Sequence, residues 1–95
     1  MPRPASALLL VSYDISDDRV RAQTAKLLEG FGLRIQYSVF ECRLMPRRAA
    51  DLRGRLRRIR LADRDSIEIV PCCAHCDERR QRLGWGRSEP DRSVV

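Results

Sequence analysis

An aspartate closes the first apolar stretch of the chain, where residues 8–14 read LLLVSYD and the polar run SDDRVR follows one residue later. An aspartate at such a point can form a turn, cap the next helix or bind a metal ion. Taken alone, the spacing of Asp14 favours a turn former that bonds to nearby backbone. Metal binding therefore needs support from the rest of the chain.

A second group of reactive side chains lies in the segment PCCAHC, residues 71–76. Cys73 and Cys76 have the spacing of zinc ligands, and Cys72 and His75 lie in the same turn. A structural zinc site normally takes four ligands from two separated pairs, and no second pair is present, because Cys42 is expected to be buried in a strand. The sequence therefore predicts buried thiols at a turn here, with adventitious zinc binding as the minor alternative.

Arginine dominates the charge of the chain. Eighteen arginines and a single lysine give a net charge of +6 and an isoelectric point near 9.9. A GC-rich genome would account for part of the excess of arginine over lysine, but not for the net positive charge. Because the guanidinium group binds phosphate as a planar fork, the composition indicates a polyanionic partner.

The length of 95 residues indicates a single domain, residues 1–95, whose small core would gain from pairing with a second copy. No export signal and no membrane-spanning stretch is visible, and free cysteines favour a reducing compartment, so we expect a cytoplasmic protein. Residues 83–95, rich in glycine, serine, proline and charge, read as a linker that ends in two valines.

The elements that must position these residues follow from periodicity. A strand at Leu8 to Tyr13 is apolar on both faces, which predicts a central place in a sheet. Ser16 is expected to cap a helix that ends at Gly30 and Gly32. The buried stripe of that helix is predicted to comprise Val20, Thr24, Leu27, Leu28 and Phe31.

A period of two follows in two further strands, RIQ and SVFECRL. In the longer one, one face is predicted to lie in the core and the other in water; the core set is Phe40, Cys42 and Leu44, and the wet set is Val39, Glu41 and Arg43. Pro46 is expected to open a second helix, and a last strand is predicted to point Ile67, Ile69 and Pro71 inward. The buried positions of the second helix are Ala49, Leu52, Leu56 and Ile59.

The resulting order, βαββαβ, predicts an α+β, ferredoxin-like sandwich in which two helices cover one face of an antiparallel sheet. The other face must be covered or used. This plan serves metal carriers, regulatory domains, RNA-recognition modules and nucleases, so the fold alone assigns no function.

Several blocks of the sequence together resemble a known family. They are YDISDDRVR with LLEGFG, then RIQYSVFECRL, then DSIEIVPCCAHC, spanning Leu8 to about Leu83. In order and spacing they resemble the second CRISPR-associated adaptation protein, a family of small ferredoxin-like CRISPR-associated endoribonucleases. The most specific block is RIQYSVFE.

The resemblance implies metal-dependent hydrolysis of phosphodiester bonds. Asp14 matches the family's metal-binding carboxylate, so that metal binding becomes the favoured role, and Tyr13 and Arg34 match residues of the same catalytic cleft. One Mg²⁺ would be shared by Asp14 of both subunits of a homodimer, because a single carboxylate is a poor site and a residue beside a twofold axis occurs twice. In the family, a short C-terminal strand also crosses to the partner's sheet.

The resemblance also implies contacts with nucleic acid by Arg21, Arg34 and Phe40. Gln23 stands where relatives are often basic, which leaves Lys26 as a substitute. An aromatic residue on a strand is more often core than a base-stacking platform, so Phe40 is also a candidate for the core or the dimer interface, and Tyr37 is expected to be a packed ring with a wet hydroxyl.

Seven arginines lie between residues 47 and 60, on the second helix and just after it. They are either a solvated face or a surface that contacts phosphates, for which Arg47, Arg48 and Arg58 are the candidate residues.

The function that the resemblance implies is support of spacer acquisition with the CRISPR integrase, as a nuclease that binds DNA, with single-stranded RNA as a second candidate partner. Two alternatives stay open. One is a non-catalytic DNA-binding scaffold of the integration complex. The other is an RNA-recognition module, which shares the βαββαβ order, although the glycine-containing motif of its third strand is absent from SVFECRL.

Overall fold

The computed structural model describes residues 6–84 and confirms the α+β, ferredoxin-like prediction. The predicted exchange of a C-terminal strand, with Val94 and Val95, falls outside the described residues. The elements are β1 (Ala7–Asp14), α1 (Asp18–Glu29), β2 (Leu33–Gln36), β3 (Val39–Leu44), α2 (Pro46–Arg57), β4 (Ser66–Cys72) and a short helix α3 (Ala74–Glu78).

One antiparallel sheet carries all four strands of the described chain, in the order β2-β3-β1-β4. The strand β1 is central, as its apolar run predicts. Val11 pairs with Phe40 on one side and with Ile69 on the other. Between Arg34 and Gln36 the pairing of β2 with β3 shifts register, which bends this edge.

The helices α1 and α2 cover one face of the sheet and form the core with it. The predicted inward face of β3 is confirmed, since Phe40, Cys42 and Leu44 are buried there. Pro46 begins α2 at its first position, where a missing amide costs nothing. The side chains that complete the core from the other elements are Leu9, Val11, Tyr13, Ile15, Ala25, Leu28, Ala49, Leu52 and Leu56.

The start of α1 differs from the prediction. Asp17, not Ser16, is the cap, and its carboxylate accepts hydrogen bonds from the amides of Arg19 and Val20. Ser16 instead bonds to Asp65, which lies just before β4. Aspartate and serine are comparable capping residues, so tertiary contact decided which of the two took the position.

The face of the sheet opposite α1 and α2, here called the second face, is not uniformly wet. The predicted exposure of Glu41 is wrong: its side chain is 6% exposed and lies in a row across the sheet between Leu33 and Leu10. The helix α3 and the residues after it cover this part of the face, where Arg80 bonds to Glu41.

The edge strand β4 also departs from the predicted alternation. Ile67 and Ile69 are half-buried against the core, but Pro71 is exposed, because β4 lies at the edge and continues one residue further to Cys72. A proline is tolerated there because it has no amide that an outer strand would need.

The close packing of Gly32, in the turn between α1 and β2, predicts that a larger residue there lowers stability. A Cβ on Gly32 would lie 2.2 Å from the carbonyl oxygen of Glu41 and 2.9 Å from Cα of Cys42, both backbone atoms of β3. We expect Gly32→Ala to lower the free energy of unfolding by about 1–3 kcal/mol, because the sheet must shift to admit the methyl group.

Gly54 provides the matched control, since nothing lies within 4 Å of a Cβ at this position in α2. Gly54→Ala is expected to stabilise the protein by about 0.5–1 kcal/mol through helix propensity. Urea unfolding of both variants measures the difference. Equal effects of the two substitutions would show that the close approach at Gly32 is not a constraint.

Candidate active site

A pocket of about 610 Å³ opens at the carboxyl end of β1, between α1 and the turn that joins β2 to β3. It brings together four of the residues that the sequence singled out: Tyr13, Asp14, Arg21 and Arg34. The remaining lining residues are Ile15, Asp18, Ala22, Ala25, Tyr37 and Ser38. The pocket therefore combines carboxylates and guanidinium groups at one end of the sheet.

Asp14 is exposed and pairs with Ser66 only through its place in the strand ladder. Within residues 6–84, its carboxylate has no hydrogen-bond or ion-pair partner. It neither caps α1, which Asp17 does, nor bonds to nearby backbone, so the turn-former interpretation is wrong. A carboxylate that the fold does not use remains available to a ligand.

Asp65 holds the loop that follows Asp14. Its carboxylate accepts hydrogen bonds from the amide of Ser16 at 3.0 Å, from the Ser16 hydroxyl at 3.1 Å and from the amide of Ala62 at 2.9 Å. The amide of Ala62, followed by that of Ser16, lowers the pKa of Asp65. The loop between β1 and α1 is thus tied to the start of β4.

Arg21 is fixed by contacts to the same loop. Its Nη1 donates to the carbonyl oxygens of Ile15 at 2.8 Å and Ser16 at 3.3 Å, and its Nη2 pairs with Asp18. The side chain is still 43% exposed, so a phosphate could compete for it from the solvent side.

Arg34 approaches the pocket from β2. Its guanidinium donates to the carbonyl oxygen of Tyr37 at 2.5 Å and lies over the Phe40 ring, 5.1 Å from the ring centroid. Glu29 lies 3.8 Å away. These contacts anchor the turn between β2 and β3 while the side chain stays 40% exposed.

The two tyrosines of the pocket differ in exposure. Tyr13 is 6% exposed, stacks on Phe40 and donates its hydroxyl to the carbonyl oxygen of Tyr37 at 3.5 Å, so it forms a wall of the pocket. Tyr37 is 92% exposed, so the expected packed ring is wrong. Tyr13 and Arg34 both donate hydrogen bonds to the carbonyl oxygen of Tyr37, while the ring of Tyr37 lies in solvent.

The predicted role of Phe40 in nucleic-acid binding needs correction. Its ring is fully buried, so it cannot stack on a base, and the core interpretation is right. Lys26 is exposed on α1, but it does not line the pocket. A contact of Lys26 with nucleic acid stays a prediction.

The arginines of α2 lie apart from the pocket. Leu44, the last residue of β3, pairs with the first residue of β1, so α2 begins at the end of the sheet away from Asp14. Arg48 bonds to the carbonyl oxygen of Gly30 and lies over the Phe31 ring, 4.1 Å from its centroid. It therefore has a structural role.

Arg47, in the first turn of α2, and Arg58, just after its last residue, are exposed. Neither lines the pocket. Their proposed contacts with phosphate, like that of Arg48, stay predictions.

No group of three or more histidine, cysteine or acidic side chains in residues 6–84 could hold a metal ion. The predicted burial of the thiols at the cysteine turn is wrong, since Cys73 and Cys76 are exposed and Cys72 is half-buried. The donors at the pocket are the carboxylates of Asp14 and Asp18. Such a set suits Mg²⁺, which keeps several waters and takes one or two carboxylates together with substrate phosphate oxygens.

Comparison with known proteins assigns the family. The model of the family described as CRISPR associated protein Cas2 matches residues 7–80. The chain belongs to the Cas2 family. The assignment confirms the resemblance of the sequence blocks and decides against the RNA-recognition module, whose exposed aromatic platform also does not fit the buried Phe40.

Curated relatives carry names that state an activity. A protein of Synechocystis named CRISPR-associated endoribonuclease Cas2 3 is 47% identical over 68 residues, 72% of this Cas2 chain and 74% of the relative. A protein of Thermus thermophilus named CRISPR-associated endoribonuclease Cas2 is 48% identical over 76 residues, 80% and 81% of the two chains.

Solved structures support the same fold. A hypothetical protein from Thermus thermophilus superposes with a TM-score of 0.74 at 40% identity, covering 87% of this chain and 96% of the other. Streptococcus pyogenes Cas2 gives a TM-score of 0.65 at 32% identity, covering 81% and 99%. Among residues 6–84 of this Cas2 chain, every helix falls short of the length and apolarity needed to cross a bilayer.

The Asp65 contacts predict a pH-dependent stability. Because the pKa of Asp65 in the folded chain lies below its ordinary value, the carboxylate stabilises the fold above that value, and the contribution is lost as pH falls through the folded-state pKa. Asp65→Asn should therefore be less stable than the wild type at neutral pH and approach it in acid.

Asp63→Asn, an identical change in the same loop, is the control, since Asp63 is exposed and has no hydrogen bond or ion pair in the described chain. Its stability difference from the wild type should be small and independent of pH. Thermal unfolding from pH 7 down to about pH 2, well below the ordinary pKa of an aspartate, tests both variants. A constant deficit for Asp65→Asn would contradict the anchoring role.

Proposed function

We propose that this chain acts as a homodimeric, metal-dependent endonuclease of the endoribonuclease type that supports CRISPR spacer acquisition with the integrase. The observation that carries the proposal is Asp14, which lines a pocket with two arginines and whose carboxylate has no hydrogen-bond or ion-pair partner within residues 6–84. Relatives with 47% and 48% identity are named endoribonucleases.

Each pocket residue has a part in this chemistry. Asp14 would hold Mg²⁺, and Arg21 and Arg34, both partly exposed, would bind the phosphates on either side of the cleaved bond. When bound, Mg²⁺ would make the attacking water more acidic and offset the negative charge that develops on the phosphate. The Tyr13 hydroxyl already donates a hydrogen bond to the carbonyl oxygen of Tyr37. Tyr13 would therefore act by holding the turn that follows β2, the strand of Arg34, rather than by proton transfer.

The second face supports a homodimer. Along β1, Leu8, Leu10, Ser12 and Asp14 alternate with the residues of the core, so Asp14 belongs in register to the second face. In the row that contains Leu10, Leu33 at one edge is 58% exposed and Val70 at the other is 42% exposed. Two copies that pair isologously beside α3, through the part of the second face that α3 leaves uncovered, would bury those edge side chains and supply one Asp14 each to a shared ion.

A matched pair of substitutions tests the dimer. Val70→Lys places a charge on the second face and should weaken dimerisation by about tenfold or more, because the ammonium would have to be buried. Leu61→Lys is the control, because it also introduces a lysine, but in the loop before β4. Leu61 is 41% exposed and Val70 is 42% exposed. This variant should leave the dimer intact.

Sedimentation over a range of protein concentrations measures both effects. A wild type that is monomeric at every concentration would contradict the dimer. Equal dissociation of the two variants would place the interface elsewhere than on the second face.

The arginines of α2 would serve a second surface for DNA. Arg47 and Arg58 are exposed and have no ion-pair partner in the described residues, whereas Arg48 and Arg55 pair with Asp51. Phosphate contacts there would be independent of sequence and would weaken steeply with salt. Neither Arg47 nor Arg58 lines the pocket, so this surface would hold nucleic acid through contacts separate from those at Asp14.

Replacement of one oxygen tests the metal role. Asp14→Asn keeps the shape of the side chain and removes its charge, and the carboxylate makes no contact that folding would miss. We expect unchanged thermal stability and dimerisation, loss of Mg²⁺-dependent cleavage of single-stranded RNA, and equal or tighter binding of the substrate as repulsion of phosphate is relieved. Cleavage assays across a magnesium titration provide the measurement.

Asp63→Asn is the control, because it removes an equivalent charge from an exposed residue outside the pocket that has no hydrogen bond or ion pair in the described chain. Its cleavage should equal that of the wild type. Full activity of Asp14→Asn would falsify the metal role. Absence of cleavage from the wild type on RNA and DNA, together with normal spacer acquisition by Asp14→Asn in cells, would establish the scaffold alternative instead.

A further inference from the structure

The turn after β4 carries two exposed cysteines that lie three residues apart and are joined by a hydrogen bond. Cys73 immediately precedes α3 and Cys76 lies within it, in the pattern Cys-Ala-His-Cys. The amide of Cys76 donates a hydrogen bond to Sγ of Cys73 at 3.4 Å, which places the first thiol against the backbone of the second cysteine. Both residues are exposed, so a reagent can reach them.

The two thiols are chemically unequal. Hydrogen bonds from Cys76, its amide first and then its thiol, lower the pKa of Cys73. The hydrogen bond that the Cys76 thiol donates to Cys73 raises its own pKa. The first thiol is therefore suited to attack and the second to complete a reaction, whereas burial raises the pKa of Cys42 to about 11 and leaves it inert.

From this geometry we propose that Cys73 and Cys76 form a dithiol that converts reversibly to an intramolecular disulfide, with a low-molecular-weight disulfide such as oxidised glutathione as the oxidant. This site is separate from the pocket at Asp14 and does not depend on the proposed function.

The reaction balances in two exchanges. The Cys73 thiolate attacks one sulfur of the small disulfide, forms a mixed disulfide and releases one thiolate. Cys76 then loses its proton and attacks Sγ of Cys73, which closes the protein disulfide and releases the second thiolate. Two protein thiols are oxidised, and one small disulfide is reduced to two thiols.

The redox state of Cys73 and Cys76 bears on how α3 and the residues after it cover the second face. Asp77, the next residue, binds Arg43 of β3 through both carboxylate oxygens, at 2.5 and 3.1 Å, and Arg80 bonds to Glu41 at 2.8 Å. A helix of five residues has little stability of its own. A disulfide across its first turn would hold α3 in the conformation that presents Asp77 to Arg43.

Thiol counting on the full chain tests the proposal. Wild type and three variants, Cys72→Ser, Cys73→Ser and Cys76→Ser, are equilibrated in glutathione buffers of increasing oxidised fraction, quenched with acid, alkylated and mapped by mass spectrometry. Wild type and Cys72→Ser should each lose about 2 Da and two alkylatable thiols with the same midpoint, in a disulfide joining residues 73 and 76.

The single variants report the order of the two exchanges. Cys76→Ser should accumulate a glutathione adduct on Cys73, because the completing thiol is absent. Cys73→Ser should react more slowly by several-fold, since Cys76 lacks the lowered pKa. A disulfide that uses Cys72, or a stable glutathione adduct on the wild type in place of ring closure, would overturn the assignment.

Two further measurements make the test decisive. Hydrogen exchange of the amides of residues 76–80 should slow on oxidation of the wild type and stay unchanged in Cys76→Ser, and unchanged exchange in the wild type would overturn the link to the second face. Zinc sulfate should not bind stoichiometrically to the reduced chain, because residues 6–84 provide no group of three ligands. Tight stoichiometric binding that protects both thiols would replace the redox site by a metal site.

Discussion

The hydrogen bonding of β1 along both of its edges is the constraint on which the rest of the structure depends. Antiparallel ladders to β3 and β4 fix its register on either side, and its alternate residues supply both the core and the second face. A slip of one residue would exchange those two sets and expose Val11. Because the strand cannot slip, Asp14 is held at the end of the sheet although its carboxylate makes no hydrogen bond or ion pair within residues 6–84.

Most of the fold could be predicted because it rests on periodicity and on local residue chemistry. The apolar run of β1, the alternation in β3 and Pro46 at the start of α2 each carry their own signal. The errors occurred where long-range contact decided the outcome. Glu41 has the alternation of an exposed residue, and nothing near it in the sequence indicates that Arg80, 39 residues later, will cover it.

In the pocket, too, residues with local signals could be predicted and those fixed by long-range contacts could not. Asp14 and Arg21 could be predicted because both belong to one short segment, β1 followed by α1, and matched the family in order and spacing. Asp65 was missed because its partner Ser16 lies 49 residues away in the chain. The exposure of Tyr37 was predicted wrongly because a tyrosine at a strand bend normally packs. Here Arg34 and Tyr13 bind the carbonyl oxygen of Tyr37, and its ring is 92% exposed.

The buried carboxylate of Glu41 explains why only part of the second face is covered. Arg80 lies 2.8 Å away, Arg43 3.5 Å and Arg82 4.0 Å, while Oε1 accepts no hydrogen bond within residues 6–84. Removing a charge from water offsets most of what such pairs contribute, so the network adds little net stability.

The network instead fixes the position of the chain segment that follows β4. An apolar segment could slide across Leu8 and Leu10 at little cost, but a guanidinium group binds a carboxylate in few geometries. Glu41 therefore fixes where the chain after β4 crosses the sheet, over the rows that contain Leu8 and Leu10. The rows of Ser12 and Asp14 lie beyond that crossing, so the same charge that anchors α3 leaves the end of the sheet with the free carboxylate open to a ligand.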